Sequence, residues 1–210
     1  RDIGGCSRSA SPWWLSLDGD WDFELLDRPE AVNAAHLGVG ALSSTALVST
    51  AGVPGAWTTQ GHGNPIYTNV AMPFPGEPPE VPDDNPTAVY RRTFEVPAGW
   101  GGRRVVLQVG SAESMAMVYL DGRFVGFGTD SRLPGEFELT SLVEPGASHT
   151  LALVVPRWSA GTWLEDQDQW FHGGLQRSVA LYSTAETRVA TVKVTGGLAD
   201  LPRRPGGPTT

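Results

Sequence analysis

Three carboxylates stand close together in the stretch Gly161–Gly174, G-T-W-L-E-D-Q-D-Q-W-F-H-G-G: Glu165, Asp166 and Asp168. Trp163, Trp170 and Phe171 flank them, and glycines open and close the stretch. A carboxylate accepts hydrogen bonds from several hydroxyls at once, and an indole face packs against the apolar C–H face of a sugar ring. Such a mixture suits a ligand rich in hydroxyls. The plainer alternative is a structural loop whose tryptophans are core and whose acids are solvated. Loops over a rigid scaffold carry binding sites often enough that both readings stay open on the loop alone.

Other constellations carry less. Glu165 and Asp168 could be offered as a general acid/base pair, but they lie three apart on one loop and do not face each other across a cleft. Glu165 and Asp166 are expected to be structural, paired with Arg157 or Arg132. Asp130, Ser131 and Arg132 invite comparison with a nucleophilic triad, yet no His lies near in sequence and no G-x-S-x-G turn is present. Asp130 and Arg132 are expected to form a buried ion pair or a turn. The glycines of G-R-F-V-G-F-G belong to a strand and not to a phosphate loop, because no helix follows. His36, His62, His149 and His172 are scattered without metal-ligand spacing. Trp57, Trp163 and Trp170 fit core, interdomain contact or sugar platform equally well, and Met115 and Met117 are expected in the core.

The bulk of the chain narrows the classes. Its 210 residues make one ordinary domain, or one domain and a piece of another. A net charge of -8 and a pI near 4.9 argue against a nucleic-acid backbone as partner. No apolar run is long enough for a membrane-spanning helix. The sequence starts at Arg1 with no apolar signal-peptide core, as a processed or cut chain would. Its single cysteine, Cys6, has no intrachain partner. The 26 Gly and 17 Pro make long helices improbable and point to short strands joined by turns.

Those strands can be followed in order. Residues 1–11 read as a loose lead-in. Trp21, Phe23 and Leu25 alternate with Asp20, Asp22 and Glu24, the period of a half-buried strand. Pro29 to His36 fits a short helix begun by proline. Residues 51–88 are dense in Gly and Pro, which bars a regular sheet interior, while Trp57, Tyr67 and Phe74 argue for an ordered loop packed on something. Tyr90, Arg92, Phe94 and Val96 share a strand face. Further strands follow at R-R-V-V-L-Q-V, at S-M-A-M-V-Y-L, after the Asp121-Gly122 hairpin signal, at Glu136–Leu142, at His149–Val155 and at Leu175–Tyr182. Eight or nine strands at short spacing predict an all-β fold, a jelly-roll β-sandwich spanning residues 12–185. Residues 186–210 read as a strand that begins a further domain, followed by a disordered tail.

Four motifs occur in one order: N-P-I-Y-T-N-V at 64–70, D-N-P-T-A-V-Y-R-R-T-F at 84–94, D-G-R-F-V-G-F-G-T-D-S-R-L-P-G-E-F at 121–137 and R-W-S-A-G-T-W-L-E-D-Q-D-Q-W at 157–170. Together with L-D-G-D-W-D-F at 17–23 they resemble the N-terminal, galactose-binding-domain-like domain of the β-galactosidases of glycoside hydrolase family 2. The resemblance covers roughly residues 12–185. It implies a multidomain enzyme, with an immunoglobulin-like sandwich and a TIM barrel after this domain. That enzyme would cleave terminal β-galactosyl residues with retention, using two barrel glutamates as nucleophile and acid/base, roughly 5 Å apart. No catalytic residue is then expected in this segment. The implied contribution is to the rim of the galactose pocket: Asn69 of Y-T-N-V, and Asp168, the second Asp of the E-D-Q-D run. Asp168 would also help hold a sodium ion whose other protein ligands come from the barrel, where a magnesium ion sits as well. The implied partners are a β-galactoside, the remaining domains and further copies of the enzyme, with no nucleic acid and no membrane, in a cytoplasmic setting. A turn-forming Asn69 and a backbone-capping Asp168 remain the plainer alternatives. At the level of the whole chain, the alternatives are a stand-alone carbohydrate-binding module and a structural domain of a β-glucuronidase or β-mannosidase.

Overall fold

The computed structural model of the chain describes residues 8–40, 47–69 and 71–196. The alternation at residues 20–25 becomes strand β2 (Gly19–Leu26), with Trp21 and Phe23 turned inward and Asp20 and Asp22 exposed. β1 (Trp14–Ser16) precedes it, and β3 (Ser49–Val53) pairs with its edge. On its other side lies β6 (Thr87–Glu95). The short strands β4 (Gly55–Ala56) and β5 (Ile66–Thr68) fall between β3 and β6. After β6 come β7 (Arg104–Val109), β8 (Ala116–Leu120), β9 (Arg123–Gly128), β10 (Gly135–Glu138) and β11 (Ser148–Pro156). Then follow β12 (Gln169–Phe171), β13 (Gly174–Leu175) and β14 (Val179–Thr184).

Ten of these strands build two antiparallel sheets. One has six strands in the order β3-β2-β6-β11-β8-β9, the other four in the order β1-β14-β7-β10. Both contribute to one core: Trp21, Phe23, Tyr90 and Leu153 from the larger, Leu107, Val179 and Leu181 from the smaller. This is the expected jelly-roll β-sandwich, with four more short strands than two sheets need. Trp21 is buried, and its indole N–H donates to the Leu17 carbonyl at 2.7 Å, which satisfies the polar end of a large apolar group. The Asp121-Gly122 turn has φ of 50° and 76°, the left-handed pair that a two-residue hairpin requires, and it joins β8 to β9.

Several expectations are corrected. Pro29–Ala31 forms a single 3-10 turn followed by turns, because Asn33 breaks the run: its side chain accepts from the Ala35 N–H at 2.9 Å. Met115 and Met117 are half-buried on the outer face of β8, where alternation puts Ala116, Val118 and Leu120 inside. The lead-in is tied down from Arg8 onward: the Arg8 guanidinium sits 5.3 Å from the Trp14 ring centre. Residues 187–196 form no strand. Val189, Val192 and Val194 are exposed there, and no neighbouring strand among the described residues offers them a ladder. Cys6 and the tail from residue 197 lie outside the described residues.

The four extra strands make two ribbons. β4 pairs with β13, and β5 pairs with β12. They join the Gly/Pro-rich stretch to the acidic loop, which are about a hundred residues apart in sequence. The segment at residues 71–86 contains no strand, in keeping with its prolines.

Candidate functional site

The β5/β12 ribbon aligns Thr68 with Gln169, Tyr67 with Trp170 and Ile66 with Phe171. Side chains alternate across a strand, so the ribbon has two unlike faces. Ile66 and Phe171 belong to the inner one. They pack on a satellite cluster with Phe74 and Trp158, bordered by Met72 and Trp163. Phe171 and Trp158 meet edge to face at 5.5 Å between ring centres, and Phe74 lies 5.1 Å from Trp158. The period assigns Tyr67 and Trp170 to the outer face, both about half exposed, at 46 % and 52 %. Continuing the register by one residue sets Asn69 opposite Asp168 on that face, and both are exposed. The two residues expected at a sugar pocket therefore meet at one end of a two-stranded ribbon.

A third residue joins them. The Tyr67 hydroxyl donates to Asp168 Oδ1 at 2.5 Å. This is a diagonal contact across an antiparallel pair, within reach of a long aromatic side chain. The bond to Asp168 pushes the Tyr67 phenol above its ordinary value, as do partial burial and the Asp168 charge; a hydrogen bond from Asn69 acts the other way. A tyrosine phenol is protonated at neutral pH in any case, so Tyr67 acts as the donor. The Trp170 ring lies 5.4 Å from that of Tyr67 and is stacked on His172, whose Nδ1 is 2.7 Å from Thr58 Oγ1.

The ribbon is fastened underneath. Arg157, buried at 6 % exposure, donates from one guanidinium nitrogen to the carbonyls of Asn64 and Phe171, both at 2.8 Å. One residue thereby ties the approach to β5 to the end of β12. Burial lowers its pKa, and the charges of Glu113 and Asp84 work in the opposite direction. Asn85 ties Trp158 in place, accepting from its N–H at 2.8 Å and donating to its carbonyl at 3.0 Å.

Glu165, Glu113 and Asp130 are spent on structure, while Asp166 is exposed and makes no ion pair with Arg157 or Arg132 among the described residues. Both Glu165 oxygens are engaged by Ser131, one by its backbone N–H at 2.9 Å and the other by its hydroxyl. That removes Glu165 from any acid/base pair with Asp168. It also corrects the expected pairing of Glu165 with Arg157 or Arg132, since Arg132 faces the buried Glu113 at 3.7 Å and Arg157 serves carbonyls. Glu113 in turn accepts from the Gly173 N–H and from the Gln176 side chain, fixing the far end of the loop. Asp130 and Arg132 form a turn: Asp130 Oδ1 accepts from the N–H groups of Arg132 and Leu133, both at 2.8 Å, and these bonds hold its carboxyl below the usual range. Trp57 is fully buried core, Trp163 is partly buried against Phe74, and Trp170 is left exposed. Among the described residues no group of three or more His, Cys, Asp and Glu could hold a metal ion, and no helix is long and apolar enough to cross a membrane.

From the sequence Tyr67 is expected only as a packed loop aromatic and Arg157 only as a partner for Glu165 or Asp166, and Glu113 is not singled out. Only Tyr67 had a signal: it lies two before Asn69 in a run of strand-forming residues, hence on the same face.

A sandwich of this build, with its aromatic and carboxylate ribbon at one end, places the chain in a class. It belongs to the glycosyl hydrolases family 2, as their sugar binding domain, whose family model matches residues 14–185. The chain is 39 % identical over 188 residues to a beta-galactosidase of Erwinia tasmaniensis, covering 88 % of this chain and 18 % of that protein. It is 40 % identical over 197 residues to a beta-galactosidase of Aeromonas hydrophila, covering 89 % of this chain and again 18 % of the relative. The chain therefore spans under a fifth of the length of these relatives. Among solved structures it resembles a beta-glucuronidase of Bacteroides uniformis, with a TM-score of 0.59 at 21 % identity over 82 % of this chain and 18 % of that one. A beta-glucuronidase of an uncultured Clostridium gives a TM-score of 0.58 at 18 % identity, over 82 % of this chain and 29 % of the other. At these identities the structural likeness speaks for the fold alone.

Proposed function

We propose that this chain is the N-terminal domain of a retaining β-galactosidase, in which it supplies one wall of the galactose pocket and contacts to the remaining domains. The observation that carries this is the β5/β12 ribbon, whose register, continued one residue past the Thr68–Gln169 pair, sets the exposed Asn69 opposite the exposed Asp168. The similarity to proteins named beta-galactosidase at about 40 % identity supports the choice of sugar. An amide offers donors and an acceptor, and a carboxylate accepts on two oxygens, so the pair reads hydroxyls in both senses. A sugar lacking the matching hydroxyl would leave these groups unpaired on closure of the pocket, which is how such a site discriminates.

The hydrolytic glutamates lie outside this segment in this proposal, so the domain binds and orients and moves no proton. Asp168 also suits a hard cation. Tyr67 occupies Oδ1, and Oδ2 has no hydrogen-bond partner among the described residues. A carboxylate oxygen is the donor type that a hard cation prefers. Asp168 would give one ligand to a sodium ion and the rest of the enzyme the others. When bound, the ion supplies positive charge beside the sugar hydroxyls. Magnesium is assigned to the barrel and not to these residues. A homo-oligomer in the cytoplasm is proposed on the resemblance alone.

The test uses a chromogenic β-galactoside. The 210-residue chain should show no turnover above background. The full-length enzyme with Asp168→Ala should lose at least 100-fold in kcat/KM, in line with the loss of a bidentate polar contact in a closed site, and its response to sodium should weaken. Turnover by the isolated chain, or an unaffected Asp168→Ala enzyme, would sink the proposal. A full enzyme preferring a β-glucuronide would move it to another branch of the family.

A further inference from the structure

Tyr67 is poorly explained as a structural residue. Its ring stands on the outer face of the ribbon and is nearly half exposed, while Ile66 and Phe171 do the packing beneath. Its hydroxyl is directed at an exposed carboxylate, and polar contacts at the surface add little to stability. What the contact does add is geometry. Asp168 precedes β12 at the end of a loop, and without a partner its carboxylate is free to turn about both side-chain torsions. One hydrogen bond at 2.5 Å to Oδ1 restricts those torsions and leaves Oδ2 available. Continuing the ribbon register by one residue sets Asn69 opposite that carboxylate. The phenol therefore fixes one of the two residues assigned to the sugar, beside the other.

We infer that Tyr67 is a positioning residue for the sugar pocket: its hydroxyl holds the Asp168 carboxylate, opposite Asn69, in one fixed arrangement before the ligand arrives. This rests on the assignment of Asp168 and Asn69 proposed above. It goes beyond that assignment by naming a group that need not touch the sugar and still governs its binding. Preorganised polar groups lose less on binding than groups ordered by the ligand itself. Their supporting partners are typically worth 10- to 100-fold in activity.

The experiment compares the full-length enzyme with its Tyr67→Phe, Asp168→Asn and doubly substituted forms. It reads kcat and KM for o-nitrophenyl β-galactoside, together with thermal unfolding. Tyr67→Phe keeps the ring and its contact with Trp170 and removes only the hydroxyl. It should lower kcat/KM by roughly 10- to 100-fold, with most of the change in KM and with Tm within about 2 °C of the parent, since the lost bond is at the surface. Placed on Asp168→Asn it should cost less than twofold more, because the two residues act as one unit. Activity of Tyr67→Phe within twofold of the parent would overturn the inference, as would an equal loss in both backgrounds. A Tm fall beyond roughly 5 °C would also overturn it, making Tyr67 a residue of the fold. If Asp168→Asn itself turns over like the parent, the assignment of the pocket fails first, and the two failures are told apart by that single variant.

Discussion

At the scale of residues, the site depends on a buried cation that does not touch it. Arg157 holds the carbonyls of Asn64 and Phe171, so the two strands cannot drift apart at that end of the ribbon without breaking a charge-assisted hydrogen bond. A lysine keeps the charge but presents a point donor on a flexible stem, in place of a planar fork. Arg157→Lys should destabilise the chain by roughly 1–3 kcal/mol, the cost of a buried acceptor left unpaired. In the full enzyme it should also raise KM for the galactoside. Urea denaturation with parallel kinetics checks both. A stable Arg157→Lys with parental KM would show that the ribbon holds its register without the clamp. Glu113 fastens the chain two residues further on, where it meets Gly173, Gln176 and Arg132.

At the scale of elements, two ribbons of two or three residues per strand hold two otherwise irregular segments together. Strands so short have little stability of their own, so each relies on what lies beneath it. The β5/β12 pair rests on the Phe74, Trp158 and Phe171 cluster. The β4/β13 pair rests on Trp57, which is fully buried, and Gly173 makes room for that indole. Gly173 has φ of 78°, and a Cβ added there would come within 2.2 Å of the Trp57 ring. Gly173→Ala therefore combines a left-handed backbone penalty with overpacking, together roughly 2–4 kcal/mol. For a domain of this size that is a Tm lower by about 5–15 °C, measurable by differential scanning calorimetry. An unchanged Tm would mean that Trp57 has somewhere else to go.

At the scale of the whole molecule, stability should be bounded on both sides of neutral pH. Burial by itself would raise the Glu138 carboxyl, but hydrogen bonds from Thr140 and Arg104 and the charge of Arg104 outweigh it, so the net shift is downward. Asp130 is lowered as well, by the backbone N–H groups of Arg132 and Leu133. Carboxyls depressed in the folded state contribute stability above their unfolded values near pH 4, and lose it as pH falls through the lower folded values. Tyr90 behaves in the opposite sense. Its burial in the core pushes the phenol up, so the folded protein keeps the neutral form while the unfolded chain ionises near pH 10. The urea midpoint should therefore be flat from about pH 5 to pH 9 and fall outside that range. Glu138→Gln should soften the acid limb and Tyr90→Phe the alkaline one. An alkaline limb unchanged by Tyr90→Phe would place its origin in other groups.

Much of the fold was legible in the chain because its signals are local. The alternation at Trp21 and Phe23, the Asp121-Gly122 turn and the density of glycine and proline need only neighbours a few residues away to take effect. The motifs around Asn69 and Asp168 marked both residues in advance as candidates. Other expectations failed where a local pattern met a tertiary contact. Met115 and Met117 lie on the outer face because the other face of β8 meets the core. Residues 188–194 form no strand because a strand needs a partner. Glu165 belongs to Ser131, which is far from it in sequence. The amino-acid sequence alone determined the strand pattern and the pair of side chains to watch. Only the tertiary structure decided that they fall at one end of a ribbon, that Tyr67 bonds Asp168 and that Arg157 fastens the ribbon from below. These depend on antiparallel register between segments about a hundred residues apart, and register is set by which face finds an apolar surface to cover.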